Sequence, residues 1–248
     1  MNILLLFQYQ IFTFIKKMIK KKNIICVIPA RGGSKGIPNK NIINFMGKPL
    51  LVHSINYAKK SKLISNVYVS TDNDKISTVG LDNDVNIINR PKSIAGDTAT
   101  TESAISHLLE NLTDKPDIIV LLQATSPLRP EKNIDSIINK FIKNKYDSLL
   151  SLSPSHRFFW EINNKEAIPK YDFLNRPRRQ DIEEADKKFV ENGSLYIFTY
   201  ESFKKNNNRL GGKIGYVVFD EEFSYEIDNY ADLLFLEALA KHIKSEND

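Results

Sequence analysis

The chain has little of what a stapled, metal-clustered or membrane-spanning protein requires. It has a single cysteine, Cys26, so no disulfide can form within it, which fits a reducing compartment and a cytoplasmic location. Cys26 sits inside an apolar run and reads as a small core residue. The four histidines fall singly, in no metal-ligand spacing, and His156 is given no role. No uninterrupted apolar run approaches the roughly 18 residues that a spanning helix needs. The opening MNILLLFQYQIFTFIKK is broken by Gln8, Gln10 and Thr13. Its lysines follow the apolar residues, the reverse of a secretory signal. Met18 reads as a natural start, so residues 1–17 are expected to be an upstream extension. Residues 1–22 are then expected to lie outside the catalytic core. The rival reading is an amphipathic membrane-surface helix.

Nucleic-acid motifs are absent too. The net charge of +5 is mild and its lysines are scattered, apart from the 16–22 run and the arginines of 176–179. An acidic small molecule suits this charge. With 248 residues, 42% of them hydrophobic, the chain is long enough for one sizeable core, expected over 23–248.

Short apolar runs alternate with segments of helical spacing. NIICVIPA (23–30), NVYVSTDND (66–74, ending in an acidic turn), a short stretch within DNDVNIINRP (82–91), PDIIVLLQATSP (116–127) and DSLLSLSP (147–154) read as strands, with 116–127 the most apolar and so central. PLLVHSINYAKKSK (49–62), TATTESAISHLLENL (98–112) and EKNIDSIINKFIKN (131–144) read as helices. Asp74 is expected in the acidic turn that ends 66–74. The segment 155–190 has no clean periodicity and is expected to be a lid or dimerisation extension. Two strands (192–200, 213–219) and a helix (229–244) close the chain. This alternation predicts an α/β fold with a mostly parallel sheet, Rossmann-like, with ligands at the carboxyl edge.

At that edge stands IPARGGSKGIPNKN (28–41). It fits neither G-x-x-x-x-G-K-[ST] nor G-x-G-x-x-G. Gly32, Gly33 and Gly36 let backbone amides approach a ligand. Arg31 and Lys35 add positive charge and Ser34 a hydroxyl, a set suited to polyphosphate.

This loop resembles the signature of the acylneuraminate cytidylyltransferases. Further segments match in the same order: VSTDND (69–74), NRPKSIAGDTATT (89–101), LLQATSPLR (121–129), ENGSLYIF (191–198) and SYEIDNYADL (224–233). The resemblance covers about 23–240. It implies a nucleotide-diphospho-sugar transferase-like fold and transfer of CMP from CTP to a nine-carbon 2-keto-3-deoxy sugar acid. Arg31, Lys35 and Asp228 become the expected catalytic residues. Ala30, Arg31, Gly33, Ser34, Lys35, Asn41, Arg90 and Thr101 are expected at the nucleotide. Gln123, Arg178, Arg179 and Tyr196 are expected at the sugar acid, an arginine gripping its carboxylate.

Mg²⁺ or Mn²⁺ is expected on Glu226 and Asp228, placed on one face by strand alternation, with Asp72 a further candidate. Many sialic-acid enzymes carry aspartate at both positions, so Glu226 marks a variant. A homodimer is implied, with neither nucleic acid nor membrane as partner. Simpler roles compete: a helix cap for Asn41 or for Thr125 and Ser126, an Arg90–Asp97 pair, a strand tyrosine for Tyr196, a salt bridge for Arg129. The rival functions are a KDO cytidylyltransferase, whose loop usually lacks GGSKG, and a non-catalytic nucleotide-binding protein.

Overall fold

A computed structural model describes residues 22–131, 134–182 and 187–247. The readings of residues 1–21 lie outside these.

Seven strands form one sheet. In chain order they are β1 (Ile24–Pro29), β4 (Asn66–Thr71), β5 (Asn86–Asn89), β6 (Ile118–Leu122), β7 (Ser148–Ser155), β10 (Lys188–Thr199) and β11 (Ile214–Val218). Two hairpins stand apart from it, β2–β3 (Asn44–Phe45, Lys48–Pro49) and β8–β9 (Trp160–Asn163, Glu166–Pro169). The sheet order is β11-β7-β10-β6-β1-β4-β5, with β6 in the middle. The β1–β4, β1–β6, β4–β5 and β11–β7 pairs are parallel, and β10 runs antiparallel to both of its neighbours.

Both faces of the sheet are covered, which is why β1 and β6 read as continuous apolar runs. The alternation of side chains sends Ile24, Cys26 and Ile28 to one face and Ile25 and Val27 to the other. On the first face lie α1 (Leu50–Lys59), α2 (Asp74–Leu81) and α4 (Ile134–Lys143), which contribute Leu51, Ile55, Ile76, Ile138 and Phe141. On the second lie α3 (Thr101–Asn111) and α5 (Tyr200–Asn206), through Ile105, Leu108 and Phe203. The closing helix α6 (Tyr230–Asn247) packs Leu233, Leu236 and Ala240 with Ile37 and Phe45 in a third cluster. Among the described residues no helix is long and apolar enough to cross a membrane.

The structure corrects two local expectations. Asp74 is not a turn residue: it begins α2, capped by Asn73, whose side chain accepts from the amides of Lys75 and Ile76. Residues 226–228 are not a strand. They lie in an irregular connection, so period-two alternation does not govern Glu226 and Asp228.

This order places the site. From β1 the chain moves outward through β4 to β5 and then returns to β6 on the other side of β1. Between β1 and β6 the winding reverses, and there the loops at the carboxyl ends diverge and leave a crevice. The glycine loop follows β1, and Gln123–Thr125 follow β6.

Candidate active site

The glycine loop is built into the fold by remote partners. The Ala30 amide donates to the Ser70 carbonyl (2.9 Å), so the chain leaves β1 still tied to β4. Next, the Gly32 amide donates to Asp72 Oδ1 (2.8 Å), and a Cβ on Gly32 would collide with the Asn73 side chain. Gly36 packs so closely that a Cβ there would overlap the Asp228 carbonyl oxygen. At Gly33 an added Cβ meets nothing within 4 Å. The fold does not require glycine there, and the open side faces the cleft, where a ligand can close on the backbone.

That cleft, of about 190 Å³, is lined by Arg31, Gly33, Ser34, Asn41, Arg90 and Thr101, all expected at the nucleotide. Asn41 is no helix cap: its Nδ2 donates to the Arg31 carbonyl (2.9 Å) and closes the loop on itself. Arg90 does not pair with Asp97. It is buried and donates from Nη2 to the Ser70 carbonyl (2.5 Å), and burial lowers its pKa. Asp97 instead accepts from Arg31 Nη1 and Lys35 Nζ, each at 2.9 Å. The Lys35 bond first, then that of Arg31, holds the Asp97 carboxyl below its usual value. The Ala30 side chain turns into the core and only its backbone borders the site.

The sequence reading missed Lys40. It lines the same cleft and its Nζ lies 2.8 Å from Asp228 Oδ1, with the lysine side chain only 14% exposed. A second lysine five positions after Lys35, directly before Asn41, was the available signal.

Asp228 and Glu226 reach the site on the connection between β11 and α6. The Ile227 amide donates to the Thr125 carbonyl (2.8 Å), and Asp232 accepts from the amides of Asp228 and Asn229. Glu226 turns toward β10. Ser126 Oγ donates to its Oε1 (3.3 Å), and a Cβ on Gly193 would overlap that oxygen and come within 3.1 Å of Gln123 Nε2. Gly193 also has φ +67°, so the turn that admits this carboxylate needs glycine on two counts. Burial, and next the Asp228 charge, push the Glu226 carboxyl up. Thr125 and Ser126 do not cap α4, which starts eight residues later.

Glu226 and Asp228, two residues apart and the latter paired with a lysine of the cleft, fit a hard divalent cation, which takes one or two carboxylates and completes its shell with phosphate and water. Among the described residues no group of three His, Cys, Asp or Glu could hold an ion unaided. Asp72 is engaged as the brace of Gly32.

The residues expected at the sugar acid are not gathered. Gln123 stands at the crevice beside Gly193 and Glu226. Tyr196 is 2% exposed, its ring within the core under Arg209 and its hydroxyl donating to Glu191. Arg178 is exposed and forks onto Asp181, three residues on. The backbone of Arg179 belongs to the turn Arg179–Asp181.

Arg129 is not a surface salt bridge. It is 8% exposed, and among the described residues its hydrogen bonds go to uncharged oxygens: Nη1 to Ser54 Oγ (2.9 Å), Nη2 to the carbonyls of Gln123 (2.8 Å) and Ser194 (3.0 Å). Burial lowers its pKa to about 10. It looks like any exposed cation in the sequence, so nothing there signals its place.

An N-acylneuraminate cytidylyltransferase of Oncorhynchus mykiss is 33% identical over 219 residues, 86% of this chain and 49% of that one. A post-translational flagellin modification protein B of Campylobacter coli is 30% identical over 226 residues, 88% of this chain and 95% of that one. The chain spans about half the length of the N-acylneuraminate cytidylyltransferases it matches. The fold is similar to that of a CMP:2-keto-3-deoxy-manno-octonic acid synthetase solved with CTP (TM-score 0.64, 16% identity, 89% of this chain and 99% of that one). A family profile described as cytidylyltransferase matches residues 25–241. The chain belongs to the cytidylyltransferase family.

Proposed function

We propose that this chain transfers CMP from CTP to the anomeric 2-hydroxyl of a nine-carbon 2-keto-3-deoxy sugar acid, sialic acid or a close relative. The observation that carries this reading is the switch-point cleft, where Arg31, Ser34, Lys40, Asn41 and Arg90 converge on open glycine backbone. The acceptor hydroxyl oxygen bonds to the α-phosphorus and releases its proton to water, the bond from that phosphorus to the bridging oxygen of the β-phosphate breaks, and pyrophosphate carries the electron pair away. Such a transfer needs positioning and charge neutralisation more than covalent help from the protein.

Arg31, Lys35 and Ser34 hold the triphosphate, and the Gly33 amide approaches it. Lys40, close to Asp228, neutralises charge near the reacting phosphate. Arg90 and Thr101 border the nucleoside end. Glu226 and Asp228 would hold Mg²⁺ or Mn²⁺, which supplies further charge neutralisation on phosphate oxygens. Gln123 meets the acceptor, and Arg178 with Arg179 supplies the carboxylate grip.

The β8–β9 hairpin supports a homodimer. It and its flanks expose Phe159, Trp160, Ile162, Phe173 and Leu174, an apolar surface of the kind that marks an interface. In a homodimer the arginines of the hairpin region complete an acceptor site that one chain leaves open. The single buried cysteine and mild charge support a cytoplasmic enzyme.

The test is pyrophosphate release with CTP, Mg²⁺ and a panel of N-acetylneuraminic acid, legionaminic acid and KDO. Release with a nine-carbon acid is expected. Release with KDO alone overturns the acceptor class, and CTP binding without release from any acid leaves a non-catalytic nucleotide binder.

A further inference from the structure

We propose that Arg129 is the positioning residue of the acceptor side of the site, setting Gln123 against Gly193 and Glu226 while leaving the nucleotide side alone. This rests on the function proposed above. A buried guanidinium with no carboxylate hydrogen-bonded to it among the described residues is a poor device for stability, because its desolvation outweighs the attraction of Glu226. What it offers is a rigid fork of donors that can hold several acceptors in one plane. Here the fork joins three separate stretches of chain. Nη1 holds Ser54 on α1, while Nη2 holds the carbonyls of Gln123, just past β6, and Ser194, in β10. Ser54 Oγ donates in turn to the Gln123 carbonyl (3.1 Å), so that oxygen is fixed from two sides. The Tyr57 ring closes the arrangement, 5.4 Å from the guanidinium carbon.

The two carbonyls held by Nη2 belong to the segments that form the acceptor wall. Between Glu191 and Tyr196 the β10–β7 pairing shifts register. Ser194 lies in that irregular stretch, and its carbonyl accepts from Arg129. Its neighbour Gly193 is the left-handed residue against which Glu226 and the Gln123 amide both stand. One side chain therefore sets the gap between the end of β6 and the bulge of β10. Among the described residues its bonds go to Ser54, Gln123 and Ser194, and not to the glycine loop, Arg90 or the α3 N-terminus, which border the cleft.

The test is steady-state kinetics of Arg129→Lys and Ser54→Ala with CTP and N-acetylneuraminic acid, on variants checked for folding by thermal melting. Lysine keeps the charge but not the fork. Arg129→Lys is expected to raise the KM for the acid roughly ten- to hundredfold, the scale of an ångström-level misplacement, with the KM for CTP within about twofold. Ser54→Ala, which keeps the arginine and removes one bond, is expected to shift the same constant by about two- to fivefold and decides the matter should Arg129→Lys not fold. Adding Arg129→Lys to Gln123→Ala should cost much less than it does in the wild type, since the group it positions is gone. Equal rises in both KM values, an unchanged KM for the acid, or full additivity with Gln123→Ala overturn the proposal. Wild-type protein that releases no pyrophosphate with any nine-carbon acid overturns the function itself, and this role with it.

Discussion

The cations of the glycine loop and those of the β8–β9 region are held in opposite ways. Lys40 reaches Asp228, 188 residues away, and Arg31 reaches Asp97, 66 residues away. Arg178 reaches Asp181, three residues away. Each pair in the first set exists only because the sheet has folded, so the cleft beside the glycine loop is assembled by the tertiary structure itself. The second is a local fork between exposed side chains of one turn. If the proposed function holds, a single chain presents the nucleotide cleft already assembled, while the proposed acceptor grip rests on a local pair.

Four substitutions break or sharpen this contrast. Lys40→Ala should cost most, lowering kcat for pyrophosphate release at least about a hundredfold, because a nearly enclosed charge beside Asp228 is lost. Near-native turnover would remove Lys40 from the machinery. Lys35→Ala should cost less, about tenfold, since Lys35 is 80% exposed and works in better-screened surroundings. If the two lysines prove equal, enclosure is not what ranks them. Arg178→Ala should raise the KM for the sugar acid about fivefold or less at saturating CTP, one exposed contact being worth roughly 1 kcal/mol. A rise in the KM for CTP alone would move that arginine to the nucleotide side.

The smallest effect is one of stability. Glu226 binds its proton more tightly in the folded protein than in the unfolded chain, so its contribution to stability is fullest at acid pH and falls as pH rises through the elevated pKa. Glu226→Gln removes that dependence. In EDTA, its melting temperature should gain on that of the wild type between about pH 4.5 and neutrality. A constant difference across that range would show that the carboxylate is not crowded.

The sequence revealed the elements whose burial is complete. β1 and β6 are covered on both faces and so spell continuous apolar runs, and α3 announces itself through Thr100, whose side chain accepts from the Ser103 amide. It hid α2, which is eight residues long, carries Gly80 and leaves Leu81 exposed. The antiparallel course of β10 leaves no trace in its own residues, because a strand between two neighbours looks alike in either direction. In the site, loop residues whose chemistry is local were legible: Arg31, Gly33, Ser34 and Asn41 all reach the cleft. Lys40 and Arg129 were not, since one is defined by a partner 188 residues on and the other by three acceptors on three different elements. Tyr196 shows the converse: its type suited a sugar contact, but strand alternation carries it into the core.

Cys26 lies in β1 between β6 and β4, wholly buried, its thiol pushed up to about 12. Thiolate is the reactive form, so a thiol-specific dye finds neither access nor a nucleophile while the sheet is intact. As the chain has no other cysteine, each labelling event records one opening of the middle of the sheet. The protein therefore carries its own clock for global unfolding, and CTP binding can be read as the factor by which that clock slows.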